Sequence, residues 1–128
     1  MSTEQRMSAA ELHSNLAQFC GSEEYHQIRL SRMRFTDGVA YLAEHGFALW
    51  LVTAIASYQG EKHVKNVPFQ LWTLTPAPAQ SAVLTMKEDT NEPELVRQEI
   101  DHTDFPFDEG KPFKLYVIDG ICLLPQEY

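Results

Sequence analysis

A histidine lies between two carboxylates in the segment Asp101-His102-Thr103-Asp104. Imidazole nitrogen and carboxylate oxygen both bind divalent cations, so this spacing raises the question of a metal site. Adjacent strand residues point to opposite faces, however, so Asp101 and His102 would diverge unless the segment is a loop. We expect a solvated acidic turn before Phe105-Pro106-Phe107, in which Thr103 or Asp104 bonds to local backbone, and no metal ion.

Cysteine and histidine together could form a nucleophilic site, because an imidazole can activate a neighbouring thiol. The chain has Cys20 and Cys122, and its histidines are His13, His26, His45, His63 and His102. Neither cysteine belongs to a C-x-x-C motif or to a Cys/His metal-ligand spacing. We therefore expect two reduced, buried structural thiols.

Sequence motifs of the common cofactor sites and nucleophile sites are missing from the chain. It contains no G-x-x-x-x-G-K-[ST], G-x-G-x-x-G, H-E-x-x-H or G-x-S-x-G pattern. We accordingly expect no cofactor and no catalytic residue. The absence of these motifs favours a protein without enzymatic activity but does not decide the matter.

The aromatic residues offer a different kind of site. Trp50 and Trp72, together with Tyr41, Tyr58 and Phe69, could line a ligand pocket between a long helix and a sheet. Large aromatic side chains more often form the hydrophobic core itself. On the sequence alone, two interpretations of these aromatic residues remain: they line a pocket, or they form the core.

Negative charge is concentrated in the second half of the chain. Residues 67–128 hold 11 acidic and 4 basic residues, and they account for nearly all of the net charge of −8. This charge opposes direct binding of nucleic acid or anionic lipid through that half and favours a protein partner with a basic surface. The candidate partner-binding acids lie between residues 87 and 109: Glu88, Asp89, Glu92, Glu94, Glu99, Asp101, Asp104, Asp108 and Glu109.

Length and composition predict one globular domain. The chain has 128 residues, of which 44% are hydrophobic, and we expect a single domain over 1–128 with a flexible tail at 1–7. The longest apolar run, Phe47 to Ala56, is too short to span a membrane. Met1 to Glu11 does not lead into the apolar stretch of a secretory signal, so we expect a cytoplasmic protein.

The sequence does not decide the oligomeric state, and a homo-oligomer is compatible with it.

Helical signals occur in the first half of the chain. Ser8-Ala9-Ala10-Glu11 is a capping box and predicts a helix over about 8–20 that ends at Gly21. Helix formers from Val39 to Glu44 stop at Gly46, and Phe47–Tyr58 is apolar on most sides. We expect two consecutive helices with a bend at Gly46, the second buried against a sheet.

Strand signals dominate the remainder. Tyr25 to Phe35 alternates with one phase slip, as in a strand carrying a bulge, and Asp119-Gly120 suits a type I′ hairpin. The fold class is therefore α+β: two layers, with an antiparallel sheet of five or six strands packed on one long buried helix and a second N-terminal helix. The later strands are predicted at Phe69–Thr75, Ser81–Lys87, Leu95–Asp101, Phe113–Ile118 and Ile121–Leu124, with proline-rich 75–78 and acidic 88–94 as connections.

Several segments of the sequence together carry a family resemblance. They include Thr36 to Glu44, Ala54 to Gln59, Phe69 to Leu74, Ser81 to Thr85, Thr103 to Pro106, Lys114 to Val117 and Leu123 to Tyr128. In these segments the chain resembles a family of small bacterial proteins, also found on plasmids and phages, that is known only as a domain of unknown function. The resemblance covers about the last three quarters of the chain and implies a bacterial accessory protein, without implying an activity, a cofactor or a catalytic residue.

Two functional hypotheses follow. In the first, the chain is a small, acidic, non-enzymatic interaction protein, such as a mobile-element accessory or inhibitor, that occupies a basic surface of a nucleic-acid-handling partner. In the second, it is a small-molecule binder or an unusual enzyme with a pocket around Trp50 and Trp72, where His102 or a carboxylate serves as acid or base. A continuous acidic face over a filled core would favour the first, and a wide aromatic cavity with a histidine would favour the second.

Overall fold

The architecture is taken from a computed structural model, which describes residues 8–19, 25–27 and 33–128. The expected tail at 1–7 lies outside the described residues. So do Gly21, where the first helix was expected to end, and Cys20.

Four α-helices and one short 3₁₀ turn occur in the described ranges. The first begins at the predicted capping box: Ser8 Oγ accepts a hydrogen bond from Glu11 N at 3.1 Å, while Ser8 N donates to Glu11 Oε1 at 3.2 Å. The capping residues thus fix the start of the helix as predicted. The helices are α1 (Ala9–Leu16), α2 (Asp37–His45), α3 (Leu49–Tyr58) and α4 (Lys62–Lys65), and the 3₁₀ turn is Pro125–Glu127.

The break between α2 and α3 lies where glycine predicted it, but the second helix begins later than expected. Gly46 caps α2, and its N–H donates to Leu42 O. Phe47 has φ of 52°, in the left-handed region, so it cannot continue a right-handed helix and α3 starts at Leu49. The helix expected over 47–58 therefore occurs over Leu49–Tyr58, but the expectation of one long buried helix is not confirmed, because α3 has 10 residues and shares the helical layer with α1 and α2.

The sheet is mixed, which corrects the prediction of an antiparallel sheet. Its strand order is β1-β2-β7-β6-β3-β4-β5. Strands β2 and β7 are parallel, with Arg34 opposite Ile121 and Phe35 opposite Cys122, and every other neighbouring pair is antiparallel. The seven strands are β1 (Tyr25–Gln27), β2 (Arg34–Thr36), β3 (Phe69–Ala77), β4 (Ser81–Lys87), β5 (Glu94–Ile100), β6 (Phe113–Ile118) and β7 (Ile121–Leu123).

The region predicted as one bulged strand is two strands. Tyr25 lies opposite Thr36 and Gln27 opposite Arg34 in an antiparallel pair, so the chain reverses direction between them. The extra strand explains why seven strands occur where five or six were expected.

Strand β3 also extends beyond its predicted end. It continues through Pro76, which lies opposite Ala82 of β4, whereas β6 stops opposite Leu74. Pro76 therefore sits where β3 has a neighbour on one side only, a position at which a strand tolerates the missing N–H. The segment 75–78 was expected to be a connection because two prolines usually end a strand.

The core lies between the helical layer and one face of the sheet. Leu51 and Ile55 of α3 face Trp72, Leu84 and Leu115 of the central strands. All five side chains are buried, and they belong to one continuous hydrophobic cluster. At about 25 cal/mol per Å² of apolar surface removed from water, such burial is the main term that favours folding.

A polar network is built into this core around Gln70, a side chain that is only 2% exposed. Its Oε1 accepts hydrogen bonds from Trp72 Nε1 and Gln59 Nε2, both at 2.9 Å. Its Nε2 donates to Gln59 Oε1 at 3.0 Å and lies 3.1 and 3.2 Å from the carbonyl oxygens of Val67 and Val64. One amide thereby joins β3 to the end of α3 and to the turn after α4.

Replacing Gln70 by Leu should therefore destabilise the fold strongly. The substitution removes the partner of Trp72 Nε1, of the Gln59 amide and of the Val67 carbonyl, and each buried group left unsatisfied costs about 1–3 kcal/mol. We expect the free energy of unfolding, measured in urea, to fall by about 2–4 kcal/mol. Gln98→Leu is the matched control, because Gln98 is exposed and its one hydrogen bond, from Tyr58 Oη, lies at the surface. Equal losses in the two variants would contradict a special role for Gln70.

The β6–β7 and β3–β4 hairpins differ in their turn chemistry. Asp119 and Gly120 have φ of 51° and 82°, so both residues have the positive φ that the predicted type I′ turn requires. In the β3–β4 turn, Ala79 and Gln80 have φ of 61° and 60° although neither residue favours that region. The backbone of this turn is therefore strained.

Introducing Asn-Gly at this turn should relieve the strain. Left-handed backbone costs about 1–2 kcal/mol for an ordinary residue, and Asn and Gly tolerate it. We expect Ala79→Asn/Gln80→Gly to raise the free energy of unfolding by about 1 kcal/mol, after the greater chain entropy of glycine is subtracted. Gly120→Ala should act in the opposite direction at the other hairpin. Thermal or urea unfolding measures both, and a destabilised Asn-Gly variant would contradict the prediction.

Candidate functional site

Six of the nine acids singled out in the sequence lie at one border of the sheet. They occupy the β4–β5 turn, strand β5 and the residue that follows it, and β5 is the last strand in the sheet order. The other three, Asp104, Asp108 and Glu109, lie on the loop that crosses from β5 to β6, an inner strand. We call this region, residues 88–109, the acidic edge. Asp108 is half-buried; the exposed acids are Glu88, Asp89, Glu92, Glu94, Glu99, Asp101, Asp104 and Glu109.

Basic side chains neutralise only part of the acidic edge. Arg97 Nη1 holds both carboxylate oxygens of Glu94, at 3.0 and 3.1 Å, and Lys111 Nζ lies 3.4 Å from Glu109. Exposed pairs of this kind contribute about 0–1 kcal/mol and are weakened by salt. Within the described ranges, the other exposed carboxylates of the turn and strand have no basic group within 4 Å: Glu88, Asp89, Glu92, Glu99 and Asp101.

The Asp101–Asp104 segment is a loop, and buried threonine anchors it. Thr103 N donates to Gln80 O at 2.8 Å, and Thr103 Oγ1 accepts from Phe105 N at 3.1 Å. The expected bonding of Thr103 to local backbone is confirmed. His102 Nε2 lies 3.3 Å from Asp104 Oδ1, with both side chains exposed. In the described part of the chain, no three His, Cys, Asp or Glu side chains converge as a metal site would need.

The loop after Asp104 is anchored by aromatic side chains. Phe105 is buried and contacts Phe107 and Phe113, each with ring centroids 5.0 Å apart. His13 of α1 reaches across, with Nε2 at 3.1 Å from Pro106 O and its ring edge-on to Phe113. His13 therefore ties α1 to the loop that bears Asp101 and Asp104, a contact that no pattern in the sequence predicted.

The two tryptophans differ in environment. Trp72 is 1% exposed and stacks near Tyr58 with ring centroids 5.5 Å apart, and the gap between it and Leu51 leaves no room for a water molecule. Trp50 is half-buried at the border of the core. Trp72 is thus a core residue.

The other aromatic residues of the supposed pocket lie elsewhere. Tyr41 contacts Phe19 and His45. Phe69 projects from the opposite face of the sheet, against Tyr116 and Tyr128. The structure therefore does not bring the five aromatic residues together around one cavity.

Cys122 is buried in β7 at 0% exposure. Removal from water is the main cause that raises the pKa of its thiol far above the ordinary value, and the nearby Glu127 carboxylate raises it further. Because a nucleophilic cysteine must ionise, this thiol is unsuited to catalysis. The expectation of a buried, reduced thiol is confirmed for Cys122.

The exposed face of the sheet carries a shallow groove that the sequence analysis did not identify. It has a volume of about 350 Å³ and is lined by threonines on β3 and β4 and by basic residues at its rim. The sequence signal for this groove was the spacing of Thr73 and Thr75 in β3, because residues two apart in a strand lie on the same face of the sheet. Its polar lining is Thr73, Thr75, Thr85, Lys87, Thr90, Glu94, Arg97 and Lys114.

Comparison with known families gives one match, to the model of the family of unknown function DUF6876, over residues 10–128. The chain belongs to DUF6876. The match confirms the family resemblance and extends it to include α1. Searches of curated proteins and of solved structures found no match. Among the residues that the structure describes, no helix of this DUF6876 chain is both long and apolar enough to cross a membrane.

Cys122 should resist thiol reagents in the folded state. In a Cys20→Ser variant it is the remaining cysteine, and we expect Ellman's reagent to react at least about a hundredfold more slowly in buffer than in denaturant. The raised folded pKa also implies that the free energy of unfolding falls above about pH 9, where the unfolded thiol ionises and the folded one does not. Rapid reaction without denaturant would contradict this placement of Cys122.

Proposed function

We propose that this DUF6876 chain is a non-enzymatic interaction protein of the bacterial cytoplasm, and that its acidic edge occupies a basic surface of a partner that handles nucleic acid. One observation carries the proposal: six of the nine candidate acids lie on the β4–β5 turn, on β5 and directly after it, at one border of the sheet, and most of these six lack a counter-charge.

The charge arrangement suits association with a basic protein. Unpaired carboxylates on one border produce a directed field that accelerates encounter with positive charge and disfavours acidic partners. The edge also has a firm support, since β5 pairs with β4 along Ala82–Lys87 and Phe105 anchors the following loop. Charges on a supported strand lose little freedom on binding, which lowers the entropic cost of association.

The role as an accessory or inhibitor rests on the same electrostatics. A protein surface that binds nucleic acid is rich in Lys and Arg, because these residues neutralise phosphate groups. An acidic edge that docks on such a surface would compete with the nucleic acid for the same positive charges. The alternative, a small-molecule binder around Trp50 and Trp72, has no comparable support because Trp72 lies in the filled core.

Neutralising three acids of the β4–β5 turn tests the proposal. The variant Glu88→Gln/Asp89→Asn/Glu92→Gln removes exposed, unpaired charges and should leave the free energy of unfolding within about 1 kcal/mol of wild type. Immobilised wild type should retain a basic protein from a bacterial lysate, and the variant should bind that protein about tenfold more weakly. The affinity of the wild type should also fall steeply between low and high salt.

The matched control removes the same number of charges away from the acidic edge. Glu44→Gln/Glu61→Gln/Asp119→Asn changes three exposed acids on α2, before α4 and in the β6–β7 turn. It should bind the captured partner as tightly as wild type does. Equal affinity of all three proteins, without salt dependence, would contradict the proposal, as would a lysate in which the wild type retains no basic protein.

A further inference from the structure

The outer side of β5 is a free sheet edge. Among the described residues, β5 pairs with β4 and with no other strand. Its seven residues, Glu94–Ile100, therefore present a row of backbone N–H and C=O groups towards solvent. The opposite border of the sheet is β1, which has three residues.

The edge is regular enough to serve as a template for another strand. Residues 94–100 contain neither proline nor glycine, and the register shift with β4 affects only its beginning, beside Lys87. Val96 is buried, and Gln98 Oε1 accepts a hydrogen bond from Tyr58 Oη at 2.7 Å. Natural proteins prevent strand addition with proline, a central bulge or a covering helix, among other devices. Within the part of the chain that the structure describes, none of these three occurs along the centre and end of β5.

Charge determines which strand can be added. Glu99 projects from the exposed face of β5, Arg97 on the same face is paired with Glu94, and Asp101 follows at the end of the strand. The unpaired acids Glu88, Asp89 and Glu92 lie beside its beginning. An added strand would bring its side chains to about 4.5–5.5 Å from those of β5, so opposite charges on the two would stabilise the pair.

We propose that a basic, extended segment of a partner protein pairs with β5 as an eighth strand. Main-chain hydrogen bonds would provide the affinity, and Lys or Arg residues opposite Glu99 and the flanking acids would provide the selectivity. This inference rests on the proposed function and adds the mode of contact. A second copy of the chain fits poorly, because antiparallel pairing of two β5 strands would set the acids at 88–94 beside those at 99–104 of the other copy.

Hydrogen exchange with a defined peptide tests the inference. The probe is a capped nine-residue peptide of alternating Lys and Val, which places lysines on one face and valines on the other. The matched control has Glu in place of Lys. At saturating Lys-Val peptide, the outward amides within 94–100 should exchange at least about tenfold more slowly, and the Glu-Val peptide should give no protection. No protection of these amides, or equal protection by both peptides, overturns the inference.

Proline substitution provides a second arm that does not depend on charge. Successive N–H groups of a strand point to opposite sides, so one of Gln98→Pro and Glu99→Pro removes an outward donor and the other removes a bond to β4. The variant that keeps the wild-type unfolding midpoint should lose at least about tenfold in peptide affinity. Glu99→Gln controls for the lost charge and should lose less. Unchanged affinity in the folded proline variant overturns the inference, and if both proline variants unfold, the exchange experiment decides.

The two proposals fail in different ways. If the affinity of the partner captured from the lysate depends on salt but the β5 amides are not protected from hydrogen exchange, the proposed basic partner is supported and strand addition is wrong. If the Lys-Val peptide protects β5 but neutralising the β4–β5 turn does not weaken the captured partner, strand addition stands and the proposed role of the turn acids is wrong.

Discussion

The buried amide of Gln70 is the interaction on which the arrangement of helices over the sheet depends. A buried polar side chain is costly unless its donors and acceptors are all used, and here one amide accepts from Trp72 and Gln59 and donates to Gln59 and to main-chain carbonyl oxygens. Apolar contacts alone would tolerate several orientations of α3 on the strands. The paired amides of Gln59 and Gln70 permit only one of these orientations, because a displaced helix would leave hydrogen-bonding groups unsatisfied in the core.

A second set of contacts closes the chain on itself and accounts for the parallel strands. Thr36 Oγ1 donates to Glu127 Oε1 at 2.6 Å and caps α2 by accepting from Val39 N. Gln126 Nε2 donates to Leu16 O, so the 3₁₀ turn contacts both α1 and α2. Gly38 allows this approach, since a Cβ there would lie 2.6 Å from Leu124 Cδ1. Strands β2 and β7 thus lie together towards one side of the sheet, and β5 forms the border on the other side.

Local signals predicted much of this fold, because each depends on neighbours in sequence. The capping box at Ser8, the helix end at Gly46, the strands Ser81–Lys87 and Phe113–Ile118 and the turn at Asp119-Gly120 all occur as predicted. The parallel pairing of β2 with β7 joins residues far apart in the chain. Hydrophobic periodicity reports the local type of structure and does not show which distant strands pair. Gln70 was not predicted to be a core residue, although it shares the face of Trp72 and Leu74, because its polar type suggested exposure.

The candidate site shows the same division between local and long-range information. The sequence located the acids, and a count of charges was enough to define the segment. It did not show that β5 is a border strand, since that depends on β3 and β4 taking the inner positions. The same carboxylates on an inner strand would lie beside backbone groups that are already paired on both sides, so the charge would not be accompanied by free hydrogen-bonding capacity. At the border the carboxylates remain hydrated and charged, and they lie beside the unpaired N–H and C=O groups of β5. The strand order therefore brings negative charge and free hydrogen-bonding groups together at one surface.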